Sequence, residues 1–465
     1  MKNLYSIFIA ILLFHITSFS QAPDTLWTKM LCEGSAVQIQ QTNDEGYLII
    51  GNQGYGKIIL IKTNNLGDTI WTRIIIGCID NERAHSMEKT MSGDYTVFAT
   101  GFAHYLSWPL LIKIDDIGDT IWVKTLPGDT WETTGGMQTD DGGYILSIYD
   151  TGVGELSFNR NLYGSLIKTD SEGELLWQKY YDVEKTSSVI QLEDGGNIFT
   201  GILSSSKVYL MRTDSVGNSI WIKTYNFYSD YLTNNKLCHT SDDGFLIMLY
   251  DSSDIRLIKT DPFGNLTWSK TYGDVGNEYG NSLQPTSDGN YIITGYTTSF
   301  SQGDKDFWII KINDSGNTLW SKSFGTENDD IGNSIIENNN GGYILVGTIW
   351  FDFPSESSIL LAELSSDSVT GVNSDFIFKE FELKQNYPNP FNPITTVKYQ
   401  IPKLSFVTLK IYGVLGNEIA TLVNEEKPAG TYEITWYAEN LPNGVYFCKL
   451  KTGTFVDTKK MILLK

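Results

Sequence analysis

Tyr105, Trp108, Trp131, Tyr228, Tyr231, Tyr279, Trp350 and Phe353 fall where this 465-residue chain varies most between otherwise similar stretches, with Asp and Glu interleaved among them. Aromatic planes stack on the CH faces of sugar rings while carboxylates accept hydroxyl hydrogens, so this combination suits a glycan. The alternative is that the rings pack only their own loops. Groups with catalytic reach are sparse. Beyond the first twenty residues the only histidines are His85, His104 and His239, and no HExxH, GxSxG or phosphate-loop pattern occurs. The acidic pairs Asp129/Glu132 and Asp329/Asp330 are of the type a glycosidase uses, although an acidic surface explains them more simply. No catalytic residue is assigned on this basis.

The elements that must hold these residues are announced by a repeat. GDTIW occurs at Gly67–Trp71 and again at Gly118–Trp122, and related endings place Trp27, Trp71, Trp122, Trp177, Trp221, Trp268 and Trp320 at intervals of 44 to 55 residues. A base follows each Trp two residues on, from Lys29 and Arg73 through to Lys322. Six of the seven are preceded by a strand and turn of the form LIKTDxxG, the turns opening on Asn64, Asp115, Asp170, Asp214, Asp261 and Asn313. Asx caps such a turn through its own backbone, and Gly three residues later takes the positive-φ position. A second hairpin signal lies further upstream in every unit, as in DEGYLIIG and DGNYIITG. Four short strands per unit, repeated seven times, is the pattern of a β-propeller. The fold class is therefore all-β: a seven-bladed β-propeller, six or eight blades being the alternatives, with the repeated Trp packed between blades. Its repeat form resembles quinoprotein-like and WD40-like propellers, and that likeness implies fold and no activity.

Trp27 lacks a preceding LIKTD strand, and the last unit has its ILLAEL strand but no Trp-x-Lys strand. Ring closure supplies both, with Thr25–Leu31 as the outermost strand of the blade spanning Gly332–Leu364. The two tight turns of every unit fall on one face. Variable loops and blade crossings fall on the other, which is the expected binding face. The residues before the first turn of each unit (Gln41, Lys89, Gln138, Gln191, His239, Pro285 and Glu337) are a mixed set that makes no ring of metal ligands. Neither a metal nor a cofactor is expected.

Composition agrees with an all-β chain, with 43 Gly and 12 Trp, 26 Tyr and 22 Phe. A net charge of −21 argues against nucleic acid and anionic membrane partners. From Phe381 onward ten Lys face seven Asp or Glu, so the acidity lies earlier and two domains are indicated. Residues 1–20 combine one Lys, an apolar run near Ile7–Phe14, and Ser18 and Ser20 before Gln21, which reads as a cleaved secretory signal. No later stretch is apolar enough to span a membrane. Cys32, Cys78, Cys238 and Cys448 form no framework or zinc spacing, and buried thiols are expected, with Cys32–Cys78 the one pairing to check.

The last 80 or so residues change character. NYPNPFNP at Asn386–Pro393, LGNE at Leu415–Glu418, AGTY at Ala429–Tyr432, LPNGVYF at Leu441–Phe447 and KKMILLK at Lys459–Lys465 are set among short alternating strands. These blocks resemble the type A C-terminal sorting domain of the type IX secretion system, with Gly413 and Cys448 as departures from the usual residues. The alternating strands suggest a small Ig-like β-sandwich. The resemblance assigns the sorting signal to Asn386, Pro388, Asn389, Pro390, Phe391, Asn392, Pro393, Gly444, Tyr446, Lys459, Lys460 and Lys465. It implies translocation across the outer membrane, partnership with the secretion machinery and its sortase-like processing enzyme, and release or surface attachment. The domains then read as signal 1–20, propeller 21–364, linker 365–382 and sorting domain 383–465. The expected function is a secreted or surface binding module for a glycan or surface protein. A polysaccharide-active hydrolase or lyase on the same scaffold is the alternative.

Overall fold

The computed structural model describes residues 22–54, 56–75, 81–104, 106–128, 131–150, 164–204, 207–227, 235–301, 304–351, 356–367, 382–401, 405–414, 416–427, 430–438, 441–452 and 455–464. The proposed signal, Cys78, and Lys465 lie outside them. The chain divides into two units, Met1–Ser368 and Val369–Lys465. Every regular element among the described residues is a strand.

Among the described residues the first unit contains seven four-stranded antiparallel sheets. Sheet 1 comprises Ser35–Gln41, Tyr47–Gln53, Lys57–Thr63 and Thr69–Ile75; sheet 2 Glu82–Lys89, Tyr95–Ala103, Leu106–Ile114 and Thr120–Thr125. Sheet 3 comprises Trp131–Gln138, Tyr144–Asp150, Gly164–Thr169 and Leu175–Tyr181; sheet 4 Lys185–Gln191, Asn197–Ser204, Lys207–Thr213 and Ser219–Tyr225. Sheet 5 comprises Lys236–His239, Phe245–Asp251, Asp254–Thr260 and Leu266–Tyr272; sheet 6 Glu278–Pro285, Tyr291–Thr297, Asp306–Ile312 and Thr318–Phe324. Sheet 7 takes Asp329–Glu337, Tyr343–Phe351 and Glu356–Leu364 from the end of the unit, and Thr25–Glu33 from its start. In that last pairing Lys29 lies opposite Leu361 and Cys32 opposite Ile359. Each first strand touches the first strands of the sheets before and after it, and that of sheet 7 touches that of sheet 1, so the contacts close on themselves. The arrangement is propeller-like.

Burial follows from this stacking. The two middle strands of each sheet are covered on both faces, so Tyr47–Gly51 and Ile58–Thr63 are buried without alternation. The outermost strands alternate, because one face meets solvent. Lys62, Lys168, Lys259 and Lys311 are buried lysines on third strands, and each meets the Asp of its own first hairpin: Asp44 at 2.7 Å, Asp141 at 2.9 Å, Asp242 at 2.9 Å and Asp288 at 2.7 Å. Sheet 7 reverses the chemistry. Glu363 stands where the lysine would be, and Asn338 Nδ2 donates to it at 3.1 Å.

The repeated pentapeptide is the joint between sheets. Asn64 Oδ1 accepts from the backbone N–H of Leu66 and Asp68, closing the turn, and Gly67 has φ 76°. Trp27 lies on Gly67, Trp71 on Gly118, Trp122 on Gly173, Trp177 on Gly217, Trp221 on Gly264 and Trp268 on Gly316. The base two residues after each Trp reaches the residue after that Gly: Lys29 pairs with Asp68, Arg73 with Asp119, and Lys270 Nζ donates to Asn317 Oδ1 at 2.7 Å. At the seventh joint no glycine among the described residues takes that place. Trp320 Nε1 donates to Asp367 Oδ1 at 2.8 Å, and Lys322 Nζ donates to the Pro23 carbonyl at 2.7 Å.

In the second unit a three-stranded sheet (Glu382–Leu383, Ile394–Ile401, Gly430–Tyr437) and a four-stranded sheet (Glu418–Lys427, Ser405–Gly413, Gly444–Thr452, Phe455–Leu463) share one apolar core that includes Phe391, Leu409, Trp436, Tyr446 and Leu463. Cys448 and, in the first unit, Cys238 are buried free thiols. Cys32 is a half-buried one on the outermost strand of sheet 7.

A Cβ on Gly118 would lie 2.4 Å from Trp71 Cη2, at φ 85°. Gly118→Ala is therefore expected to cost about 2–4 kcal/mol, of which about 1 is backbone strain and the rest overlap. In a Trp71→Ala background, itself destabilised by about 3 kcal/mol, only the strain remains. Urea unfolding of the four variants checks this, and additive effects would disprove the contact.

Candidate functional site

Antiparallel order sorts the connections. Links from second to third strands and crossings between sheets emerge at one end of the sheets, and both tight turns of each unit emerge at the other. At the first end lies a cavity of about 1170 Å³, bordered by Glu33, Gln53, Arg83, Glu132, Trp350 and Glu356. It continues inward into a cavity of about 350 Å³ lined by the first strands of all seven sheets; Val37, His85, Lys236, Asn281 and Asn333 border both.

A repeated irregularity shapes this inner cavity. In six first strands the register slips by one residue, at Val37, His85, Thr134, Ser187, Asn281 and Asn333. Such a β-bulge leaves one residue unpaired and re-aims its side chain. All six bulge residues line the inner cavity. The seventh first strand opens instead on Lys236, which lines it too. Thr134 Oγ1 donates to Ser147 Oγ at 2.8 Å, Asn281 Nδ2 donates to the Gly332 carbonyl at 2.9 Å, and Asn333 Oδ1 accepts from Thr348 Oγ1 at 2.7 Å. His85 Nε2 lies 2.9 Å from Thr100 Oγ1, which already accepts the Thr133 N–H.

Burial dominates the electrostatics here. It pushes His85 down to about 3, with Arg83, Lys236 and Lys185 adding repulsion, so the ring is neutral near pH 7. Burial also lowers the Lys236 ammonium and raises Glu88, on the same strand as His85, to about 7 even though Glu88 accepts the Gln138 N–H. Among the described residues no group of three or more His, Cys, Asp or Glu is placed to hold a metal ion.

Of the aromatics named from sequence, Trp350 is the one whose described side chain borders the outer cavity, 45% exposed at the end of a second strand. Trp108 is half-buried within the third strand of sheet 2, opposite Gly101. Tyr279 stacks on Tyr296 with centroids 5.7 Å apart and meets Tyr250 at 5.4 Å, joining sheets 5 and 6. Tyr105, Tyr228, Tyr231 and Phe353 lie outside the described residues, as does the Trp131 side chain. The acidic pairs do not act as pairs in what is described. Glu132 accepts from Tyr149 Oη at 3.0 Å; Asp329 pairs with Lys305 at 2.6 Å, while buried Asp330 caps Thr326. The bulge ring, four residues upstream of the set inspected in the sequence, was missed. Its signal is a polar residue five positions before the turn in most units.

In the second unit the sorting residues from its two ends meet. Asn389 Oδ1 accepts from the Ile462 N–H at 2.8 Å and Asn389 Nδ2 donates to the Lys460 carbonyl at 3.0 Å. The Phe391 N–H donates to Ile462 O at 2.9 Å, and the Leu464 N–H to Phe391 O at 3.0 Å. Asn386 is buried and donates to Thr395 Oγ1 at 2.9 Å. Tyr446 is buried in the core, and Lys459 pairs with Asp457 at 3.1 Å.

Residues 385–464 are a secretion system C-terminal sorting domain. No curated protein matches the chain. Solved structures with some likeness include a protein of unknown function from Bacteroides caccae, at 12% identity over 61% of this chain and 95% of that one, with a TM-score of 0.42. A fungal alcohol oxidase of the AA5 family in complex with copper is 9% identical over 96% of this chain and 100% of that one, TM-score 0.48. PorZ, a surface component of the type-IX secretion system of Porphyromonas gingivalis, is 9% identical over 93% and 82%, TM-score 0.23. The sorting domain implies export through type IX machinery to the cell surface or beyond. No helix among the described residues is long and apolar enough to cross a membrane.

Glu88 supplies a pH test of the inner cavity. Its folded pKa, about 7, exceeds its ordinary 4.5, so between these values the folded state holds the extra proton and stability falls as pH rises. Glu88→Gln keeps an acceptor for the Gln138 N–H without the charge. It is expected to match the parent at pH 4 and to exceed it by on the order of 2 kcal/mol at pH 8. Urea unfolding at the two pH values reads the difference; equal stability at pH 8 would mean Glu88 is hydrated.

Proposed function

We propose that this chain is an exported binding protein: a seven-bladed β-propeller over residues 21–364 whose loop-face cavity takes a glycan, carried outward by an Ig-like sorting sandwich over residues 383–465. The observation that carries the reading is the joint presence of the sorting domain and a cavity of about 1170 Å³ with an exposed Trp350 at its edge. Cavities of this order hold ligands of several rings, and an exposed indole in a cavity also bordered by Glu356 and Arg83 offers stacking and hydrogen bonding together. Residues 1–20 act as the secretory signal on this reading, and Tyr105, Trp131, Tyr228, Tyr231 and Phe353 extend the binding face. The joint that a sortase-like enzyme cuts lies in 365–382, beyond Asp367, whose carboxylate is held by Trp320, Lys311 and Tyr343 in the first unit.

Two measurements test it. On a glycan array the secreted protein should bind a restricted set of glycans, and Trp350→Ala should weaken that binding about tenfold with an unchanged melting temperature, as befits an exposed ring. Binding untouched by Trp350→Ala would move the site elsewhere. For export, a chain lacking residues 459–465 should stay in the periplasm with its first unit folded, because none of the seven sheets uses those residues. Equal surface delivery would refute the role of the tail.

A further inference from the structure

The inner cavity contains a cation that nothing described neutralises. Lys236 occupies the position where the other first strands place Gln38, Ser86, Gly135, Ser188, Ser282 and Ser334, all bordering the same cavity. Small side chains around one long one leave room beside the amine. Burial is the one influence acting on the Lys236 charge, with no carboxylate among the described residues offsetting it. The Lys236 charge adds to the repulsion on His85 of sheet 2, which borders the same two cavities. By contrast, the buried lysines of the third strands each have an aspartate. A native fold rarely leaves buried donors unused unless something else occupies them.

We propose that the inner cavity binds an oxyanion group, a carboxylate or sulfate, with Lys236 as its counter-charge. An oxyanion suits an ammonium better than a halide does, because its several oxygens can accept from more than one of the three N–H donors. The mouth above carries Glu33, Glu132 and Glu356, and the chain is strongly acidic. A bare anion and an acidic sugar are both repelled on that path, and stacking of the sugar's neutral face on Trp350 offsets the repulsion. The inference rests on the glycan reading for the source of the anion, and not for the site itself.

The full secreted chain is titrated with sodium galacturonate, galactose and sodium sulfate at matched ionic strength, followed by thermal shift and calorimetry. Galacturonate is expected to raise the melting temperature and galactose to leave it unchanged. Lys236→Met should weaken galacturonate at least tenfold and Lys236→Arg should retain it. Sulfate acting alone supports the site and assigns it to a free inorganic anion. No shift from either anion, or a shift that survives Lys236→Met, overturns the proposal. Neutral glycans bound equally by parent and Lys236→Met, without any anion effect, would remove this inference and leave the glycan reading standing; anion binding with a blank glycan array would do the reverse. Should Lys236→Met fail to fold, the parent decides through acetylation mapped by mass spectrometry. Galacturonate or sulfate should slow modification of Lys236 severalfold and spare exposed Lys207, and equal rates at Lys236 with and without either anion overturn the proposal.

Discussion

The contact between a tryptophan on one sheet and a turn glycine on the next is the constraint on which the rest of the first unit depends. A four-stranded sheet with two apolar faces is unstable alone, and it must be covered on both sides. Here one side is met by the preceding sheet and the other by the following one, with an indole over a residue that has no Cβ at each of six joints. The pentapeptide recurs because it holds both halves of the joint. Its Gly receives the indole from behind, and its Trp reaches the Gly ahead. The base after each Trp and the acid or amide after each Gly add a polar clasp at the surface, where such pairs contribute less to stability than to alignment.

Six joints of one kind leave a seventh to be made differently. Sheet 7 is assembled from both ends of the unit, and the indole at its joint meets Asp367 where the others meet a glycine. Trp320 is accordingly more buried than its counterparts and donates its indole N–H to that carboxylate. Lys311 and Tyr343 converge on the same carboxylate. The joint that closes the circle thus substitutes charge and hydrogen bonding for shape. Chain ends fray more easily than hairpins, so directional bonds are placed where covalent continuity is missing.

How much of this was legible in the sequence depends on whether a feature is written as a pattern or as a geometry. Turn chemistry is a pattern: Asx at the start and Gly three residues later force the same local backbone wherever they occur, and so the repeats, the strand order within each unit and the pairing of Thr25–Leu31 with Ile359–Leu364 could be read, the structure extending both strands to Thr25–Glu33 and Glu356–Leu364. The inner cavity is a geometry. Val37, His85, Thr134, Ser187, Asn281 and Asn333 share no side-chain type, and a one-residue slip of register is what gathers them. Strand alternation alone assigns a face to each residue, and the bulge changes that face without a dedicated residue to announce it. Trp108 shows the opposite error. Its place in a variable stretch suggested a loop, yet the third strand of sheet 2 extends through Leu106–Ile114 and takes it into the sheet.

The sorting domain carries the same distinction further. NYPNPFNP and KKMILLK are separated by most of the domain in sequence, yet Asn389 and Phe391 are hydrogen-bonded to the backbone of Lys460, Ile462 and Leu464. Asn386, Phe391, Tyr446, Met461 and Leu463 are buried, so these side chains hold the domain together and are not available to a receptor. Burial divides the motif into two functions. What the folded domain presents from its two end blocks includes Tyr387, 82% exposed, Pro388, Pro390 and Asn392, with Lys460 and Leu464. A receptor that reads the folded tail must therefore read a surface assembled from both ends of the domain. On that argument, shortening the terminus acts twice, removing Lys460 and Leu464 from that surface and also releasing the strand that fixes Asn389 and Phe391.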